Sequence, residues 1–400
     1  DKNLETPLHD MPTPGVFTDD LRADLINKKC EMVVHSWKDL PIDIGNKSVI
    51  AATLPRADQR DIFFIKKNNI AKIQKQNEIS ILSSSPRRVY NLGLFAKNYL
   101  PFKIDKINFL NIRGNIPTRF KKFLDGSEDA FVVAKAAIDR LLNNKISEFE
   151  YLAQTIKKYI DQCHWSITPL SLNPTSPGQG ALACEVRIDD QPSIDLIKSI
   201  NVIDDFECVK KERKILENYG GGCHQKIGVS FFKTHFGLMH SSKGEIKEGD
   251  SFHYWNKEET NSKFYKNIKP VEIFPENLED YDLFERKSIE KSVKQINNIE
   301  KHCIWITRNN SLPKETRINK NNIIWTSGIK TWKNLSKRGV WVNGTADGMG
   351  ENFKTNINFL TSYPWVKLTH NLANTSKIKK HIYSYELLEK PIKIDFNNKK

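Results

Sequence analysis

The sequence predicts an α/β protein of several domains, and three observations carry that expectation. Short apolar and β-branched runs alternate with stretches at helical spacing, the pattern of strands packed against helices. The chain has 400 residues, enough for about two to four domains with a sizeable core. Hydrophobic residues make up 38% and charged residues 28%, ordinary for a globular chain. No apolar run reaches the roughly eighteen residues that a membrane helix needs.

In order, residues 16–28 carry apolar side chains at helical spacing, with Thr18 and two aspartates near the start. Val33 and Val34 form a short apolar run, read as a buried strand end. His35, Ser36, Lys38 and Asp39 then crowd the positions before Pro41, which stops regular structure. Polar groups this dense at a strand end suggest a site, since open α/β sheets place ligands there. A solvated Lys–Asp pair is the plainer alternative.

Residues 49–54 and 62–65 read as strands, separated by a charged turn through Pro55, Asp58 and Arg60. Residues 66–75 form a polar crossing, read as a hinge or linker. A helix over 87–99, a strand over 107–112 and a strand-then-helix over 131–142 follow. Residues 270–297 are charged and poorly periodic and read as a linker. Beyond them IWITR (304–308), IIWTSGIKTW (323–332), GVWVNGTADGMGE (339–351), VKLTH (366–370) and IYSYELL (382–388) look like strand ends with turns.

Six cysteines (Cys30, Cys163, Cys184, Cys208, Cys223, Cys303) are scattered without CxxC spacing. That argues against a zinc site or disulfide scaffold and for a reducing compartment, with no metal expected. The net charge is +14 and suggests nucleic-acid binding generically. Lysine, however, is spread along the chain beside abundant Asn and Ile, without a basic run interleaved with aromatics. This is compositional bias, so neither a nucleic-acid nor a membrane partner is expected.

Local positive charge has a sharper use. In SSSPRR (83–88), Arg87 and Arg88 follow three serines at a strand-to-helix junction, where amides and hydroxyls bind anions. In NIRGNIPTR (111–119), Arg113 precedes Gly114, which lets a ligand pass close to backbone, and Arg119 adds a cation. DAFVVAKAAIDR (129–140) ends on Arg140. Arginine forks bind carboxylates bidentately and stay charged, although a single arginine more often serves solubility. In SPGQGALACEVR (176–187), Gln179 is set between Gly178 and Gly180, which could equally form a simple turn. In GGGCHQ (220–225), a glycine run leaves Cys223 exposed at a loop tip; a lone cysteine is more often a small buried hydrophobe.

With VHSWKDLP (34–41), these segments resemble in order the hydroxymethylbilane synthase family, also called porphobilinogen deaminase, over about residues 1–235. The resemblance implies a transferase that condenses four porphobilinogen molecules into a linear tetrapyrrole, releasing ammonia, on the route to haem. Asp39 matches the family's catalytic aspartate, with Lys38 beside it. Cys223 matches the attachment point of a dipyrromethane cofactor, held by a thioether and built from the enzyme's own substrate. Ser36, Ser83, Ser84, Ser85, Arg87, Arg88, Arg113, Gly114, Arg119, Arg140 and Gln179 fall at positions expected to bind cofactor or substrate.

Expelling ammonia from an aminomethyl-pyrrole leaves an electrophilic azafulvene, which the unsubstituted carbon of another pyrrole attacks. Positive charge develops on pyrrole nitrogen, so a fixed carboxylate such as Asp39 is the group required. Lys38 would pair with substrate carboxylates and favour ionised Asp39.

The resemblance also implies two discontinuous periplasmic-binding-protein-like lobes, residues 1–66 with 178–202 and residues 70–170. A small α+β third domain, 203–262, would hold the Cys223 loop between a helix (207–218) and a strand (227–232). A linker (263–297) and an α/β extension (298–400) would follow. A cytoplasmic monomer acting on porphobilinogen is expected.

Three departures stand out. The family's N-terminal strand, with its Thr-Arg-x-Ser pattern, is absent ahead of Asp1, which suggests a truncated chain. Pro14 replaces a usual Lys, and Pro86 replaces a usual aliphatic residue. The extension's fragments are similar, in order, to strand-end motifs of uroporphyrinogen-III synthase, which would make the protein bifunctional, with Thr345 a candidate carboxylate ligand. Rivals of another class are a polyanion- or nucleic-acid-binding protein and a solute-binding protein, neither of which needs the anchor offered by Cys223.

Overall fold

The computed structural model describes residues 18–144, 146–220, 225–258, 284–373 and 376–390. Four sheets organise them.

The first lobe is built on strands β1 (Met32–Ser36), β2 (Ser48–Ala52) and β8 (Leu182–Arg187), antiparallel with β8 central. Helices α1 (Asp19–Ile26) and α7 (Gln191–Lys198) cover it, burying Leu25 and Ile194. β1 alternates, so Val33 is buried while Val34 is exposed, which corrects the expected pair of buried valines. His35 also points inward. Its Nε2 lies 3.0 Å from the buried Glu185 carboxylate, which accepts from Arg22 and Ser48 as well. It is a core histidine, not a member of the site.

The second lobe is a five-stranded sheet in the order β5-β4-β6-β3-β7. Its strands are β3 (Asp61–Lys66), β4 (Glu78–Leu82), β5 (Lys106–Leu110), β6 (Ala130–Ala134) and β7 (Cys163–Ile167). Every residue of β3 and β6 is buried, as expected of strands covered on both faces. Helices α2 (Ile70–Gln76), α3 (Pro86–Tyr99), α4 (Ile116–Asp125), α5 (Lys135–Leu142) and α6 (Glu150–Asp161) provide that cover.

Two expectations change here. β3 pairs with β6 and β7, so residues 61–66 go with this sheet, and the boundary expected at 66 falls ahead of Asp61. Residues 66–75 are no hinge: they finish β3 and run into α2, which Ile73 pins into the core. The chain passes between lobes at 53–60 and 168–181 instead. The expected charged turn at Asp58 and Arg60 is part of that passage, and both side chains are buried.

A third unit packs α8 (Ile203–Asn218) on an antiparallel sheet of β9 (Gly228–Thr234), β10 (Gly237–Lys247) and β11 (Asp250–Lys257). Glu212 on α8 fastens it to the passage. It takes two bonds from Arg56, at 2.8 and 2.9 Å, and one each from the Gly178 and Phe231 amides.

The fourth sheet comes wholly from the C-terminal region, in the order β12-β17-β16-β13-β14-β15. It comprises β12 (Phe284–Ser288), β13 (Cys303–Ile306), β14 (Ile323–Thr326), β15 (Gly344–Thr345), β16 (Trp365–His370) and β17 (His381–Glu389). All neighbours are parallel except β12, an antiparallel edge. Helices α9 (Glu290–Asn297) and α10 (Ile329–Ser336) accompany it. Residues 284–297 are therefore not linker. Ser292, Ile296 and Ile299 are buried at helical spacing, a short period lost among charged neighbours.

This sheet docks on the second lobe. Trp332 is fully buried against Phe95 and Tyr99, and its Nε1 donates to the Tyr99 carbonyl at 2.9 Å. The Ile167 amide donates to the Asn343 carbonyl, and Trp341 Nε1 donates to the Trp165 carbonyl. Asp347 accepts from the Ser171 amide and hydroxyl, at 2.9 and 2.5 Å, while Arg60 donates to the Thr355 carbonyl. Both passages between the lobes are thus gripped by the C-terminal sheet.

Candidate active site

Ser36 ends β1 and is exposed; Trp37–Asp39 then make one 3-10 turn. Trp37 is buried, its amide donating to the Ala181 carbonyl at 3.0 Å, which anchors the turn on β8. Arg213 on α8 donates to the carbonyls of Trp37, Leu40 and Pro41. With the indole below and the carbonyls occupied, Asp39 is left on the open side, exposed, and Lys38 half-buried. Gly178, at φ +78°, comes so close that a Cβ would sit 3.1 Å from the Lys38 amide nitrogen. Glycine is needed there.

The serines end β4. The Ser83 amide donates to the Leu110 carbonyl, and the Ser84 hydroxyl bridges both backbone groups of Ile112. Ser85 precedes α3 without a side-chain capping bond, and Pro86 stands in the first turn, a position that suits proline's missing N–H. Arg87 and Arg88 follow. Gly114 adopts φ +119°, Asn115 accepts from the Thr118 amide to start α4, and Arg119 Nε donates to the Gly114 carbonyl at 2.6 Å.

Electrostatic coupling shows which of these groups lie together. Burial lowers the Lys38 pKa; Asp39 and Asp61 oppose this, and Arg88 and Arg87 add to it. Burial also lowers that of Arg119, reinforced by Arg88 and Arg113 and opposed by Asp39. One cluster thus holds the cations Lys38, Arg87, Arg88, Arg113 and Arg119 and the carboxylates Asp39 and Asp61. Five positive charges against two negative leave an excess of three, an environment for a polyanion. Arg87 Nε is also buried without a hydrogen-bond partner. This donor set fits a dipyrrole carrying several carboxylates, with Arg88, Arg113 and Arg119 to hold them.

Gln179 is 1% exposed between Gly178 and Gly180, and its Nε2 donates to the Gln59 carbonyl and the Asp61 carboxylate. Arg140 is exposed near the end of α5, and no hydrogen bond or ion pair ties it to the cluster among the described residues. Cys223 lies outside the described residues. Cys163, Cys208 and Cys303 are buried, and burial pushes each thiol up to about 12, so they are poor thiolates. Thr345 does not face a ligand. It is 1% exposed, with its hydroxyl donating to the Thr326 carbonyl. A cavity of about 610 Å³ at the seam between the second lobe and the C-terminal sheet is lined by Lys67, His164, Lys320, Arg338 and Trp341. None of the expected site residues lines it.

Sequence reasoning missed Asp61, Asn173 and Glu212. Asp61 had a signal: an acid opening an otherwise apolar strand, DIFFI, must find partners once buried. The other two had none, since their partners are distant in sequence.

Residues 1–195 match the family model described as porphobilinogen deaminase, dipyromethane cofactor binding domain. A porphobilinogen deaminase of Chlorobium phaeovibrioides is 32% identical over 238 residues, 59% of this chain and 67% of that protein. One from Caldicellulosiruptor saccharolyticus is 34% identical over 227 residues, 57% of this chain and 69% of that protein. A periplasmic sulfonate-binding protein from Methylobacillus flagellatus KT covers 50% of this chain and 56% of its own at 11% identity, but its TM-score of 0.28 carries no argument. With the order of motifs and the cationic cluster around Asp39, the relatives identify the chain as a member of the porphobilinogen deaminase family.

Proposed function

We propose that this protein is a hydroxymethylbilane synthase, joining four porphobilinogen molecules head to tail with loss of ammonia. The observation that carries this reading is the junction of two lobes where Asp61 holds Arg87, Arg88 and Gln179, with the Lys38–Asp39 turn packed on the neighbouring Gly178. Asp39 stands on an anchored turn and has an open side, so it can accept hydrogen bonds from the N–H groups of bound porphobilinogen. A carboxylate fixed there before reaction stabilises the positive charge that develops as ammonia leaves and again as the new carbon–carbon bond forms. Asp39 can also carry the proton lost when the attacked ring regains aromaticity. Lys38, Arg88, Arg113 and Arg119 supply donors for the carboxylates of each added unit. The dipyrromethane, bound through Cys223, supplies the primer to which units are added.

The experiment is turnover of porphobilinogen, following ammonia release and linear tetrapyrrole. Asp39→Ala should cut kcat by about 10²–10³ while the protein still carries its pyrrole adduct. Near-normal turnover in that variant would assign the chemistry to another carboxylate.

A further inference from the structure

Asp61 opens β3, is 0% exposed, and stands where chain from both lobes meets. Its two oxygens accept five hydrogen bonds. Oδ1 takes Arg88 Nη2 at 2.7 Å and Gln179 Nε2 at 2.9 Å. Oδ2 takes Arg87 Nη2 at 3.0 Å, Arg88 Nε at 3.1 Å and Asn173 Nδ2 at 3.0 Å. Burial alone would raise this carboxyl, but Arg88 and then Arg87 hold it well below the usual range, so it stays charged.

The two arginines use this carboxylate differently. Arg87 is committed on both ends, since its Nη1 also donates to Asn173 Oδ1 and the Pro174 carbonyl at 2.9 and 3.0 Å. Gly228 packs against its stem, where a Cβ would sit 3.0 Å from Arg87 Cδ. Arg88 instead grips Asp61 side-on, through Nε and Nη2. A guanidinium is planar, so fixing one edge fixes where the remaining Nη1 points. That nitrogen has no protein acceptor among the described residues. Lys38 and Arg119 both respond to the charge of Arg88.

We infer that Asp61 is a positioning residue for the condensation, orienting Arg88 and Gln179 across the lobe junction so that Arg88 meets pyrrole carboxylates at one fixed angle. The inference rests on the functional reading above and adds a division of labour in which Arg87 anchors and Arg88 presents. Asp61 touches no reacting atom. Its effect is on placement, and a misplacement of about 1 Å can cost roughly 10² in rate.

The test uses the full chain as wild type, Asp61→Asn and Asn173→Ala. Each is incubated with porphobilinogen, and intact mass gives the fraction bearing a pyrrole adduct. Turnover is then expressed per adduct-bearing molecule. Wild type without an adduct would sink the functional reading itself, whatever Asp61 does. Given loaded wild type, Asp61→Asn should lower kcat per loaded molecule by about 100-fold while KM moves by less than about threefold, because the positive charge that attracts substrate is kept. Unchanged kcat per loaded molecule, with fewer molecules loaded, would make Asp61 structural only and overturn the inference. If Asp61→Asn fails to fold or load, Asn173→Ala decides. It keeps the carboxylate, removes one of its donors and leaves Arg87 Nη1 with the Pro174 carbonyl alone, and should cost about tenfold in kcat per loaded molecule. No change there would equally overturn the inference.

Discussion

Trp332 is a fully buried link between the C-terminal sheet's helix α10 and the second lobe, and its removal tests whether the two fold together. The indole is 0% exposed, edge-on to Phe95 at 5.5 Å and to Tyr99 at 6.0 Å between ring centres, with Nε1 bonded to the Tyr99 carbonyl. Trp332→Ala loses that burial and leaves a cavity the size of an indole, worth about 3–5 kcal/mol. The Tyr99 carbonyl keeps a donor, since Ser336 Oγ also reaches it at 2.8 Å, so no penalty for an unsatisfied acceptor is added. Trp332→Phe keeps most of the apolar contact and loses one neutral hydrogen bond, so about 1–2 kcal/mol is expected. Native-state amide exchange is the suitable assay, because a chain of this size need not unfold in one step. In Trp332→Ala the last turn of α3 and the whole of α10 should exchange faster together, by about 10²–10⁴-fold. Faster exchange confined to α10, or equal effects of Ala and Phe, would refute the shared core.

Two other perturbations follow from the lobe junction. Burial pushes the Asp347 carboxyl from 3.8 up to about 6, with the Ser171 bonds pulling the other way. Because the folded pKa is raised, the proton stabilises the fold fully below about pH 4, and that contribution fades as pH rises through 6. At neutral pH the strain is at most about 3 kcal/mol. Asp347→Asn should therefore gain stability relative to wild type between pH 4 and 7, and parallel pH–stability curves would contradict this. Gly180 adopts φ +83°, and a Cβ there would lie 2.6 Å from the Ala57 carbonyl oxygen. Gly180→Ala should lower stability by about 2 kcal/mol or more in denaturant titration, and an unchanged midpoint would show that the passage can yield.

What could be read in the sequence was local. Pro86 in the first turn of α3, the strand-then-helix over 130–142 and the glycines around Gln179 each state their geometry within a few residues. What could not be read depends on distant pairing. Asp58 and Arg60 look like a solvated turn, yet their side chains are buried, and Arg60 meets Phe353 and the carbonyl of Thr355, 295 residues on. Asp61 draws its partners from positions 26 to 118 residues distant. The division of Arg87 from Arg88, adjacent and chemically identical, appears only once Asn173 and Pro174 are seen to occupy one of them. Cation excess in a cleft is legible as a list of arginines; which arginine presents and which anchors is a property of packing.

The most direct measurement of the central claim is the intact mass of the purified full chain after exposure to porphobilinogen, with the modified peptide then located. The expected result is a mass higher than that of the polypeptide by two pyrrole units, carried on the peptide containing Cys223 and absent from Cys223→Ser. An unmodified polypeptide, or an adduct on Cys30 or another cysteine, would contradict the assignment of this chain as a working hydroxymethylbilane synthase primed at Cys223.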